Sequence, residues 1–110
     1  IINTIDQDND LEELGSAVAV GERLRREVIA TAESGRTAEL VEAGEREVNN
    51  HTFYDLEYAV HLENRDRHEL ATVVVDRGRL YTLATSVNED RWEKVQDLCG
   101  RVVHSLNLLI

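Results

Sequence analysis

Residues 54–62 set the terms for everything around them. Tyr54, Leu56, Tyr58, Val60 and Leu62 are apolar, while Asp55, Glu57, His61 and Glu63 fall between them. Successive side chains of an extended chain point to opposite faces, so this spacing describes a strand with one buried face and one wet one. The next run, LATVVV at residues 70–75, is apolar and β-branched on both sides. That is the pattern of a central strand covered above and below. Asp76-Arg77-Gly78-Arg79 then reads as a tight turn, with Gly78 supplying the positive φ such turns demand. Residues 80–87 return as a third strand, and Trp92 follows at the mouth of a helix. Three consecutive strands joined by short turns form an antiparallel meander.

Two helices flank it. Over residues 11–29, Leu14, Ala17, Val18, Leu24 and Val28 recur near the helical period, with Gly21 where another apolar contact belongs. Asp10, with Glu13 three residues on, suits an N-cap, and Gly15-Ser16 is a point where the helix can break and restart. Arg23, Arg25 and Arg26 are a solvated face expected to pair with Glu22 and Glu27. The second helix spans residues 88–106 from an Asn88 cap, on a stripe of Trp92, Val95, Cys99, Val102 and Leu106. Residues 108–110 add a last strand or tail. Residues 37–48 are ambiguous: AELVEAGEREV favours a helix by propensity, yet Asn49-Asn50 signals a hairpin into a strong strand. A strand pairing antiparallel with residues 52–62 is expected there.

The fold class that follows is α+β, an antiparallel sheet with helices packed on its faces as an α/β/α sandwich. At 110 residues the chain is one domain, 1–110, near the small end for burying a core. It opens on Ile1-Ile2-Asn3-Thr4-Ile5 and has no Met. This reads as the tail of a strand whose partners lie earlier, in an amino-terminally incomplete domain. Twelve basic against 22 acidic residues give a net charge of −10. That excludes nucleic acid, which is bound through Lys and Arg, and a basic docking surface for anionic membranes. No apolar run approaches the length of a membrane-spanning helix.

No catalytic constellation stands out, and a non-enzyme is expected. His51, His61, His68 and His104 lack the spacing of a zinc site. Cys99 lies on the core stripe of the last helix, the place of a small buried hydrophobe, and as the only cysteine it has no disulfide partner. Asp6, Asp8 and Asp10 imitate the start of a calcium loop, but Leu11 and Ala17 stand where its Gly and Glu belong.

The pieces FYDLEYAV, RHELATVVVDRGRLYT and DRW, in that order and spacing, resemble the carboxyl-terminal half of the PsbP family, the extrinsic proteins of photosystem II. The resemblance implies a strand at residues 37–48 and further strands before residue 1. It also implies a lumenal, non-enzymatic accessory protein. Such a protein would bind photosystem II core subunits in the thylakoid lumen, as a monomer within a larger complex, and support assembly or stability of the oxygen-evolving complex. Having one lysine, Lys94, and strong acidity, the chain looks like the cyanobacterial and PsbP-like branches. The resemblance further places His68 beside Asp90, as a structural His–Asp pair or as ligands to calcium, manganese or zinc. No cofactor is required. The alternative function is a soluble acidic carrier of divalent metal that meets a photosystem only transiently.

Overall fold

A computed structural model of the chain describes residues 2–4, 15–31, 33–76 and 79–108. Strand β1 is Ile2–Thr4 and helix α1 is Ala17–Leu24, which runs into a π-helical turn, Arg25–Ile29. Four long strands follow: β2 (Thr37–Val48), β3 (His51–His61), β4 (Asp66–Asp76) and β5 (Arg79–Asn88). A 3-10 turn, Glu89–Arg91, leads into helix α2 (Trp92–His104). The five strands form one antiparallel sheet in the order β1-β5-β4-β3-β2. This is the α+β meander with helices that the alternation requires. The calcium-like residues 6–10, the Asp10–Glu13 cap, helix residues 11–14, Gly78 and residues 109–110 lie outside the described residues.

Thr37–Val48 is a strand despite its composition. It pairs with β3 from Thr37↔His61 to Val48↔His51, with one irregularity between Leu40 and Glu42. Asn49 and Asn50 both take positive φ, 50° and 66°, as the tight hairpin between two right-twisted strands demands. Helix propensity is worth only tenths of a kcal/mol per residue, and strand pairing plus burial of Ala38 outweighs it.

The even residues of β3 make the main core. Tyr54, Leu56, Tyr58 and Val60 are almost fully buried, with Ala71 and Val73 beside them on β4 and Ala17 and Val20 above them on α1. Two tyrosines also bolt α1 down. The Tyr54 hydroxyl donates to the Gly15 carbonyl at 2.7 Å, and that of Tyr58 donates to the Gly21 carbonyl at 2.8 Å. Burial raises the Tyr58 pKa far above the ordinary phenol value, with Glu22 and Glu69 adding to it.

Both helices depart from the expected stripes, each for a geometric reason. Ser16 caps α1 through its side chain, accepting from the Ala19 N–H at 3.2 Å, so the helix restarts where Gly15-Ser16 allows. The π-helical turn inserts one residue per turn, marked by the Ala30 N–H donating to the Arg25 carbonyl. Ile29 therefore meets the core, and Val28 is 50% exposed. Arg23 and Arg25 pair with Glu27 and Glu22 as expected. On α2 the residues turned inward are Cys99 and Val103, followed by Leu106 in the next turn, while Val102 is 40% exposed. A step of four after Cys99 keeps a 3.6-residue helix on its face better than a step of three. Asn88 holds the expected N-cap position, with extended backbone before the 3-10 turn, but its side-chain oxygen accepts from Arg67 at 2.9 Å and makes no capping bond. Leu108 ends a 3-10 turn, Ser105–Leu108, where a strand or tail was expected.

Candidate functional site

Asp55, Glu57 and His61 of β3 were expected on a wet face; the His61 side chain is exposed there, but the rest of that face is partly covered. On that face Phe53 is buried and Asp55 and Glu57 are half-buried, beside Thr72 and Val74 of β4 and along the edge of α2, which packs on β4 and β5. A polar residue covered in this way must be paired, because unpaired burial costs on the order of 1–3 kcal/mol. Each of these is. Asp55 accepts from the Arg46 guanidinium of β2 at 2.8 Å and from the Thr72 hydroxyl at 2.8 Å, and His104 of α2 comes within 3.7 Å. Arg46 also donates to Thr72 at 3.3 Å and lies 4.6 Å above the Phe53 ring.

His68 is the centre of the second cluster. It is 6% exposed, and each ring nitrogen meets a carboxylate: Nε2 lies 2.8 Å from Glu57 and Nδ1 lies 2.8 Å from Glu89. The Trp92 ring stacks on the imidazole, centroids 3.9 Å apart and planes 18° from parallel. Register explains the set. His68 pairs with Ala59 on β3 and Val87 on β5, so Glu57 and Glu89, each two residues beyond a partner, return to its face. Trp92 follows Glu89 by three residues, one turn on. Carboxylates only accept, so both bonds are made together when both ring nitrogens carry hydrogen. The cluster joins β3, β4 and the start of α2.

The expected partner of His68 was Asp90, and the structure gives the place to Glu89. Both nitrogens are taken without Asp90, which sits one residue past the pleat position that faces His68. Asp90 is exposed and borders a shallow pocket of about 480 Å³ with Arg65, Asp66, Asn88 and Glu89. Its place at the start of a helical segment is where the backbone dipole favours a carboxylate. Glu57 went unnoticed in the sequence because its alternation with apolar neighbours reads as solvent-facing. Among the described residues, no group of three or more His, Cys, Asp and Glu side chains is arranged to hold a metal ion. Cys99 is buried, as its stripe required.

The other histidines are also set against acids. His51 Nδ1 lies 3.0 Å from the Asn49 carbonyl and Nε2 lies 3.0 Å from Asp76, while His61 lies 3.0 Å from Asp66 and 3.8 Å from Glu39. The bond to Asp76 raises the His51 pKa above 6.5, with desolvation opposing and the Asn49 carbonyl adding to it. The bond to Asp66 does the same for His61.

Comparison with known proteins follows the same lines. The chain is 42% identical over 113 residues to CyanoP of Thermosynechococcus vestitus, covering 98% of this chain and 62% of that protein. It is 38% identical over 109 residues to CyanoP of Synechocystis, covering 98% of this chain and 58% of that one. The chain thus spans less than two thirds of the length of these relatives. The solution structure of the Synechocystis protein superposes with a TM-score of 0.83 at 39% identity, over 96% of this chain and 62% of that one. The family profile of PsbP matches residues 1–108. With the fold and nearly its whole length in agreement, this chain belongs to the PsbP family.

Proposed function

We propose that this chain acts as a non-enzymatic accessory protein of photosystem II in the thylakoid lumen. In this reading it binds core subunits on the lumenal side, as a monomer within the larger complex, and supports assembly or stability of the oxygen-evolving complex. Membership of the PsbP family over residues 1–108 is the observation that carries the proposal. The clusters beside α2 are compatible with it. His68 has no nitrogen left for a substrate, and Asp55, Thr72 and Arg46 are spent on one another. These groups hold a sheet and a helix together and leave the outer surface to do the binding.

The test is retention of photosystem II core subunits from detergent-solubilised photosynthetic membranes on the immobilised protein. At a net charge of −10, contacts are expected to be polar and to weaken as salt rises. Failure to retain core subunits at low salt would overturn the proposal. Stoichiometric calcium, manganese or zinc in the purified protein, with no core subunit retained, would mark a metal carrier in its place.

A further inference from the structure

At His68 two acceptors compete for one ring. Glu57 Oε2 lies 2.8 Å from Nε2 and Glu89 Oε2 lies 2.8 Å from Nδ1, and a carboxylate oxygen only accepts. An imidazolium carries a hydrogen on each nitrogen and makes both bonds, whereas the neutral ring carries one hydrogen and makes one bond. On its bare side a nitrogen lone pair then faces a carboxylate oxygen at hydrogen-bond distance, which is repulsive. The ring itself is held: it is 6% exposed, and the Trp92 indole is stacked on it at 3.9 Å. The group that gives way is therefore a carboxylate. Histidine exchanges its second proton between about pH 5 and 8, a range over which ordinary carboxylates keep their charge.

The two carboxylates are not equally free to leave. Glu57 sits inside β3, paired with Glu42 of β2 on one side and Leu70 of β4 on the other, and its side chain is 22% exposed. Glu89 lies in the three-residue 3-10 turn before α2, and its side chain is 46% exposed, bordering the shallow pocket with Arg65, Asp66, Asn88 and Asp90. Return to water costs Glu89 less. Among the described residues these two are the carboxylates within ion-pair distance of the ring, while β5 presents Val87 and α2 presents Trp92, neither of which titrates. Asp66 of β4 is engaged by His61 of β3 at 3.0 Å, and that bond raises the His61 pKa, with Glu89 adding a smaller effect through space. We propose that His68 is a proton-operated latch: doubly protonated, it fastens the start of α2 to β3 and β4, and on losing one proton it keeps Glu57 and releases Glu89 with its turn. The latched form binds one proton more, so it is favoured as pH falls. The inference concerns one contact of this chain and does not depend on which complex the protein joins.

The test follows the ring nitrogens of His68 by NMR in the isotope-labelled protein from about pH 5 to 8, in a His61→Gln background that removes the neighbouring titration. Both nitrogens are expected to be protonated at the acid end, with the hydrogen kept on Nε2 and lost from Nδ1 at the other. The Trp92 backbone N–H donates to the Glu89 carbonyl across the turn, so its hydrogen exchange, corrected for the intrinsic rise with pH, reports the release. Its protection is expected to fall several-fold at the midpoint of the ring titration. Glu89→Gln and Glu57→Gln each remove the competition, because an amide can donate to a bare nitrogen or accept from a protonated one. Each should abolish the fall in protection while the ring still titrates. The proposal is overturned if the ring keeps the same number of protons throughout, or if its last hydrogen stays on Nδ1. It is equally overturned if Trp92 protection does not respond to pH, or if the fall survives in either Gln variant.

Discussion

At His68 one ring stands between two acceptors and beneath an indole, and every bond it makes joins a different element to β4. Replacing it by Gln would leave Glu57 and Glu89 without the ring between them and Trp92 without its stacking partner. His68→Gln is expected to lose about 1–3 kcal/mol, since a partly buried acceptor left without its donor costs about that much. Urea denaturation measures it, and adding Glu57→Gln should recover part of the loss. A fully additive double variant would show that the two side chains do not interact. His51 makes a weaker contact whose sign depends on pH. Its folded-state pKa is raised above 6.5. Its contribution is therefore fully present below about pH 6.5 and is lost as pH rises through the raised value. His51→Gln should cost about 0.3–1 kcal/mol at the acid end of that window and little above it. A cost that does not change with pH would remove the Asp76 pair from the account.

At the scale of elements, the approach of α1 to the sheet is set by one residue without a side chain. A Cβ on Gly21 would lie 2.9 Å from Leu40 Cδ2 and 3.1 Å from Leu56 Cδ2, inside ordinary contact distance. Two effects oppose each other in Gly21→Ala. Alanine gains up to about 1 kcal/mol of helix propensity. Against this, the core must open or α1 must lift, straining the 2.8 Å bond from Tyr58 to the Gly21 carbonyl, and overpacking costs about 1–3 kcal/mol. A net loss of roughly 1–2 kcal/mol in the urea midpoint is expected. A stabilised variant would mean that α1 sits farther from β2 and β3 than the structure has it. Glycines 21, 44 and 100 thus differ in kind: the first is demanded by contact, and the other two border open space.

Across the whole molecule, charge is the quantity least balanced by local pairing. Ion pairs join Arg23 to Glu27, Arg25 to Glu22 and Arg46 to Asp55, yet the chain keeps a net charge of −10. Salt weakens the exposed pairs and also screens the general repulsion. The exposed pairs are worth only about 0–1 kcal/mol each, so the repulsion dominates. Melting temperature is therefore expected to rise between about 0.02 and 0.2 M sodium chloride, where the screening length falls to below about 10 Å. A fall on adding salt, seen by calorimetry, would show that the pairs govern stability.

The alternation in β3, the β-branched run of β4 and the Asn49-Asn50 turn were enough to determine the meander. They act locally, through the two-residue period of a strand and the backbone a tight turn needs. Local periodicity also placed Cys99 in the core and set Arg23 and Arg25 beside Glu27 and Glu22. It could not tell that the second face of the sheet is partly covered, because a paired acid and a solvated acid occupy the same alternating positions. Whether Glu57 faces water or His68 was decided by where α2 lies, and Glu89 was chosen over Asp90 by the register of β4 on β5. The shift from Val28 to Ile29 came from a π-helical turn that no periodicity announces. An open cleft of about 380 Å³ bordered by Gly44 of β2 and Gly100 of α2 belongs to the tertiary structure alone, since it brings together residues 56 positions apart in the chain.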